Sequence, residues 1–134
     1  MAPTKDIENI NDIKKMVNTF YGKVRKDELI GPIFNEKIQN HWDEHLSKLH
    51  SFWQGILLGE RTYFGHPFPP HAQLPIGKEH FDRWLSLFTE TVDALFIGPV
   101  ANEAKSRAYN ISEIFQGKLE HIRKRNENKA DGIE

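Results

Sequence analysis

The sequence predicts an all-α domain, and three observations carry that expectation. Apolar residues recur at steps of three and four along four segments, no run alternates with the period of a strand, and Gly or Gly-Pro marks the segment ends. With 134 residues, 38% apolar and 28% charged, the chain suffices for one compact domain with a single core. Four principal amphipathic helices joined by short connectors are the corresponding architecture.

In the first segment Ile10, Ile13, Val17, Phe20, Tyr21 and Val24 form one apolar stripe. Gly31 and Pro32 suit a helix end and a fresh start, and the stretch around Ile33, Phe34 and Ile38 reads as irregular chain or a brief helix. Asn40 is the expected N-cap of a second principal helix over 41–58, with Asp43 in its first turn and Gly59 at its end. The third begins near Gly77 or Lys78 and runs to about Ile97, with Phe81, Trp84, Leu85, Phe88, Val92 and Leu95 on one side. Gly98-Pro99 then opens a fourth over 100–123, through Ala104, Ala108, Ile111, Phe115, Leu119 and Ile122. The domain is expected to span 1–123, with 124–134 a disordered tail that lacks an apolar pattern.

Composition removes several classes of function. A formal net charge of −1 gives no reason to expect nucleic acid or an anionic membrane as partner. The absence of cysteine removes disulfides, thiolate metal sites and cysteine nucleophiles. No Gly-rich phosphate loop, no local Ser/His/Asp arrangement and no His-Glu-x-x-His signature occurs. Without a signal-peptide pattern or a long apolar run, the expected location is cytoplasmic.

What remains is a set of aromatic and imidazole side chains. In "FGHPFPPHAQLPIGKEHF", Pro69 and Pro70 fix the chain just before His71, and Pro75 closes the segment. A histidine so braced loses few backbone states when its ring is pinned, which suits a metal ligand, although a surface histidine in a Pro-rich loop fits the same residues. His45 shares a face with Leu49, Phe52, Trp53 and Ile56, where packing alone would favour an aliphatic side chain. Tyr21 and Trp84 place an O–H and an N–H inside apolar stripes, where each needs a partner if buried. Each has an ordinary reading as a boundary or core residue. Together they suit a flat apolar cofactor between helices, its metal held by one imidazole and its other face meeting hydrogen-bond donors; haem meets those requirements. A bare zinc or iron site would want three or four close ligands, and no carboxylate–histidine cluster at that spacing supports one.

The stretches "FYGKVRKDELIGPIF", "HWDEHLSKLHSFWQGILLGE", "PFPPHAQLPI" and "FDRWLSLF" occur in the order of the truncated haemoglobins of the third group, and the chain resembles them from about Ile10 to His121. The resemblance implies a shortened globin fold, two antiparallel helix pairs crossing around haem b (iron protoporphyrin IX). It places His71 at the iron-ligating position and Tyr21, His45 and Trp84 on the distal side. Phe34, Leu49, Phe52, Trp53, Phe81, Ile111 and Phe115 are then the expected apolar contacts of the cofactor, with Lys48 and Arg61 as propionate partners. His66 and His80 lie near His71 in sequence, but His66 precedes the tight proline brace and His80 belongs to the start of a helix.

The function so implied is binding of O2, and of NO and CO, at a five-coordinate iron facing two donors, Tyr21 and Trp84. His45 could donate, gate the pocket or ligate the iron. Catalytic use of the same site, as an NO dioxygenase or with peroxide, would need an external reductase, because no flavin or nicotinamide motif is present. The alternative from another class is a haem-free helical interaction module that keeps the globin shape.

Overall fold

The computed structural model describes residues 3–59 and 76–130, with side chains to residue 124. His71 and Arg61, expected as iron ligand and propionate partner, lie outside the described residues, as does His66. Among the described residues the structure is helical and without strands: α1 (Ile10–Lys26), α2 (Gly31–Ile38), α3 (Trp42–Leu58), α4 (Lys78–Leu95) and α5 (Pro99–Ala130).

Helix α1 starts where Asn9 accepts the Asp12 N–H on its side chain, at 3.1 Å, and ends at Asp27. That carboxylate accepts the N–H groups of Leu29 and Ile30, both at 3.0 Å, and so shapes the turn into α2. Gly31 belongs to the first turn of α2, where a Cβ would stand 2.9 Å from the carbonyl oxygens of Val24 and Arg25. The α2 start therefore rests directly on the end of α1, which only a glycine allows. The brief-helix reading of 31–38 holds.

Asn40 does not cap α3. Gln39 turns the chain with φ of 53°, and the His41 N–H returns to the Ile38 carbonyl at 3.0 Å, so Asn40 sits within the turn and His41 takes the cap position. Gly59 ends α3 in the left-handed conformation, φ 73°, as expected.

Helix α4 ends at Leu95, two residues short of the expected Ile97, which is exposed. Pro99 opens α5 as expected, but the cap comes from far away in sequence. The Asp6 carboxylate accepts the N–H groups of Val100 (2.9 Å) and Ala101 (2.8 Å), neutralising two donors of the first turn. Helix α5 continues to Ala130, beyond the Arg123 limit set by the apolar periodicity. Its last turns follow a run of good helix formers and carry exposed pairs such as Glu120–Lys124 at 3.4 Å.

The core lies where α1 packs against α3 and α4, and α4 against α5. Ile13, Met16, Val17, Phe20 and Val24 of α1 are fully buried against Phe88 and Val92 of α4 and Ala104 and Ala108 of α5. The small alanines let α5 approach closely. A second, smaller cluster of Ile76, Phe81, Phe115 and Leu119 ties the start of α4 to the middle of α5. Between the two clusters the helices part, and there the site lies.

Candidate functional site: an aromatic slot with two inward-facing donors

The gap is a narrow, open-mouthed cavity of about 70 Å3. Each helix contributes to its wall: Tyr21 from α1, Phe34 from α2, Leu49, Phe52 and Trp53 from α3, Phe81 and Trp84 from α4, Ile111 and Phe115 from α5. All of the expected apolar contacts are thus brought together. Phe34, Leu49, Phe52, Trp84 and Ile111 pack on the core with one side and remain only half-buried, because the other side lines the cavity. A flat apolar group would cover those surfaces, and each ring so covered contributes through burial and stacking.

Lys48 is exposed and does not line the cavity. His45 stands behind the lining, its ring edge-on to Tyr21 at 5.9 Å and to Trp42 at 5.8 Å between centroids. The structure adds Ile30, Ile76, His80 and Ser112 to the wall. Ser112 was legible in principle, since it continues the Ala104–Ala108 register by four. Its Oγ accepts from Gln116 at 3.1 Å and is 2% exposed as a residue, so it is closed upon its own helix.

Tyr21 and Trp84 form the polar part of the inner wall. Burial pushes the Tyr21 phenol up to about 12, and a hydrogen bond from the Trp84 side chain offsets part of that rise. An indole N–H only donates, so toward Trp84 the Tyr21 oxygen is the acceptor. The two expected donors therefore stand side by side on the inner wall. Trp84 is also held in place: it stacks on Phe88 (5.9 Å, 13°) and meets the edge of Phe20 (5.6 Å, 79°). Trp53 stacks on the same Phe88 at 5.0 Å. Tyr21 in turn lies against Phe20, Phe34, Trp42 and His45. The donor is pre-positioned by packed rings, and at an upshifted phenol it keeps its proton throughout the physiological range.

Residues 7–115 match the family described as Bacterial-like globin. The chain belongs to that family. It is 41% identical, over 115 residues, to the group 3 truncated haemoglobin of Campylobacter jejuni, covering 83% of this chain and 91% of that protein. A crystal structure of group III truncated haemoglobin from the same organism superposes with a TM-score of 0.78 at 40% identity, covering 87% of this chain and 95% of that one. The fold is thus the truncated globin fold, and this bacterial-like globin is similar to the third group, as its motifs imply. Membership brings with it a haem cofactor and the binding of diatomic gases such as O2 as properties of the family.

The slot fits such a group. Its walls are aromatic and aliphatic, its inner polar atoms are two neutral donors, and among the described residues no cluster of three His, Cys, Asp or Glu competes as a metal site. No helix of the described residues is long and apolar enough to cross a membrane.

Proposed function

We propose that this globin holds haem b in the slot through His71 and takes O2, and with it NO and CO, against the Tyr21–Trp84 pair. Haem, when bound, supplies an iron with one open position for a diatomic gas. The chain's own part is to exclude bulk water with Phe34, Leu49, Phe52, Phe81, Ile111 and Phe115, and to aim one proton at the gas. The observation that carries this reading is the placement of two donor side chains, Tyr21 and Trp84, on the wall of a mostly apolar cavity. Such a donor favours a ligand carrying partial negative charge, hence O2 over CO. Slow release of O2 follows, a property of a binder or reactor rather than of a carrier.

His45, edge-on to the Tyr21 ring, supports a role as gate between the pocket and the outside. Turnover of NO would draw electrons from an external reductase, with the protein working in the cytoplasm.

Purified protein, reduced and exposed to CO, is expected to show a Soret band that is lost in His71→Ala and regained on adding imidazole. A stably folded wild type that takes up no haem would refute the reading. Mixing the oxygenated protein with NO, with and without a reductant, separates the two modes: single-turnover loss of NO marks a binder, repeated turnover an enzyme.

A further inference from the structure

His80, like Ser112, is a polar cavity residue that the distal site does not use. It stands in the first turn of α4, one helical turn before Trp84, and its side chain is 17% exposed. It lines the same slot as Tyr21 and is more exposed than that residue, which is 5% exposed. Its Nδ1 accepts the Gly77 N–H at 2.9 Å. An accepting Nδ1 leaves the proton of a neutral imidazole on Nε2. The Glu79 carboxylate is 3.5 Å from the same Nδ1, too far for a hydrogen bond and on the nitrogen already occupied. The lone pair that a metal would need is thus spent on the helix start, so His80 is a donor and not a second candidate for the iron. Its Nε2–H makes no hydrogen bond to a described residue.

The peptide that grips Nδ1 is itself gripped from the other side. Arg123 of α5 donates from Nη2 to the Ile76 carbonyl, and that carbonyl belongs to the same peptide unit as the Gly77 N–H. In a trans peptide the two groups point in opposite directions. A cation on the oxygen polarises the unit, strengthens the N–H toward Nδ1, and so makes Nε2–H a better donor. Arg123, one peptide unit and the imidazole form a chain that ends at the cavity.

We propose that His80 is an anchor for the anionic edge of the cofactor, its Nε2–H donating to a haem carboxylate, with Arg123 as its positioning residue. This rests on the haem reading above. An amphipathic macrocycle in this slot must leave its carboxylates at the mouth, where a carboxylate and a fixed imidazole N–H form a charge-assisted bond. Lys48, expected from sequence for that task, does not reach the wall.

The test is haem transfer from the holoprotein to excess apomyoglobin, followed in the Soret region. His80→Glu retains the cap, because Glu at this third helical position accepts the same N–H, but it turns the donor into a like charge. His80→Gln retains both cap and donor. Release is expected to rise about tenfold or more in His80→Glu and to stay within about threefold of wild type in His80→Gln. With haem whose two carboxylates are methyl esters, the difference between the variants should vanish. Arg123→Met is expected to speed release severalfold in the wild type and to have no effect when His80 is Phe. Equal release from His80→Glu and His80→Gln with native haem overturns the anchor, as does a difference that survives esterification. A wild type that takes up no haem fails earlier, at the underlying reading, and is seen before any variant is made.

Discussion

Replacing Tyr21 by Phe and Trp84 by Phe, singly and together, tests whether the two donors act in series or side by side. In the series arrangement the Trp84 N–H donates to the Tyr21 oxygen; the indole itself is fixed by its stack on Phe88 and the edge of Phe20. Tyr21→Phe removes the proton aimed at the gas. A hydrogen bond to a partly charged ligand contributes about 1.5–3 kcal/mol, so O2 release should quicken by about ten- to a hundredfold. Trp84, pinned by its neighbours, cannot turn its N–H to replace what is lost. Trp84→Phe leaves the Tyr21 O–H in place but removes its orienting donor and the associated polarisation, a loss of about 10–30% of one bond plus some orientation. That change is expected to quicken release about two- to fivefold. In the double variant Trp84 has nothing left to act on, and release should match Tyr21→Phe within about twofold. The assay is stopped-flow displacement of O2 by excess CO. If the two single effects multiply in the double variant, Trp84 reaches the ligand independently, and the series argument is refuted.

Asp6→Ala removes the distant cap of α5 with its two charge-assisted bonds, and unfolding in urea should show a loss of about 1.5–3 kcal/mol. Burial opposes ionisation of Asp6, but the N–H groups of Val100, Ile7 and Ala101 outweigh it and hold the carboxyl below its ordinary value. The Asp6 contribution is therefore full above the ordinary carboxylate range and disappears as pH falls through the lowered folded value, which a pH series of wild type against Asp6→Ala will show. Gly98→Ala places a Cβ 2.6 Å from the Asp6 Cγ at a φ of 139°, so it should cost at least about 2 kcal/mol in the same assay. Part of that loss should be recovered when Asp6 is also Ala. Because the Tyr21 phenol is raised to about 12, its tyrosinate absorbance should be missing at pH 10 and emerge only toward that value. O2 release should accordingly be insensitive to ionisation of this group up to about pH 10.

Helix existence and the apolar face of each helix were legible from local spacing, and the family resemblance implied which of those faces line the cavity. The stripe through Phe20 and Tyr21, the face of Leu49, Phe52 and Trp53, and the register of Ile111 and Phe115 each place their rings without reference to any other helix. The end of α3 was legible too, since Gly59 needs only its own φ. What spacing cannot carry is a partner chosen across the fold. Asp6 caps a helix 94 residues away, which no capping pattern within α5 announces. Asn40 has the right side chain for a cap, but the turn at Gln39 moves the helix start one residue beyond it. The far end of α5 persists past its apolar stripe because helix formers and exposed pairs suffice once the earlier turns are packed. Likewise, sequence offered Tyr21 and Trp84 as two donors. What spacing does not show is that both stand on one cavity wall, with the indole held by its stack on Phe88.

The treatment of buried hydroxyls within one core separates a binding protein from a haem-free helical module of the same shape. Thr91, fully buried, returns its proton to the Leu87 carbonyl at 2.7 Å, and Ser112 is bonded to Gln116 on its own helix. Thr91 does not line the slot; Ser112 does, but its oxygen is engaged within its own helix. Tyr21 is treated differently: it is a bulky phenol on the cavity wall, and its proton goes to no described residue. A phenylalanine would fill that position without desolvating a hydroxyl, an expense of about 1–3 kcal/mol when a buried donor lacks a partner. His80 repeats the pattern on the same wall, its acceptor nitrogen used by the helix start and its donor nitrogen left over. Two donors, Tyr21 and His80, thus line one mostly apolar slot. Packing accounts for the fixed acceptors. In the proposed reading, the protons left over meet a ligand that is negative in two places, a partly charged gas within and a carboxylate at the rim.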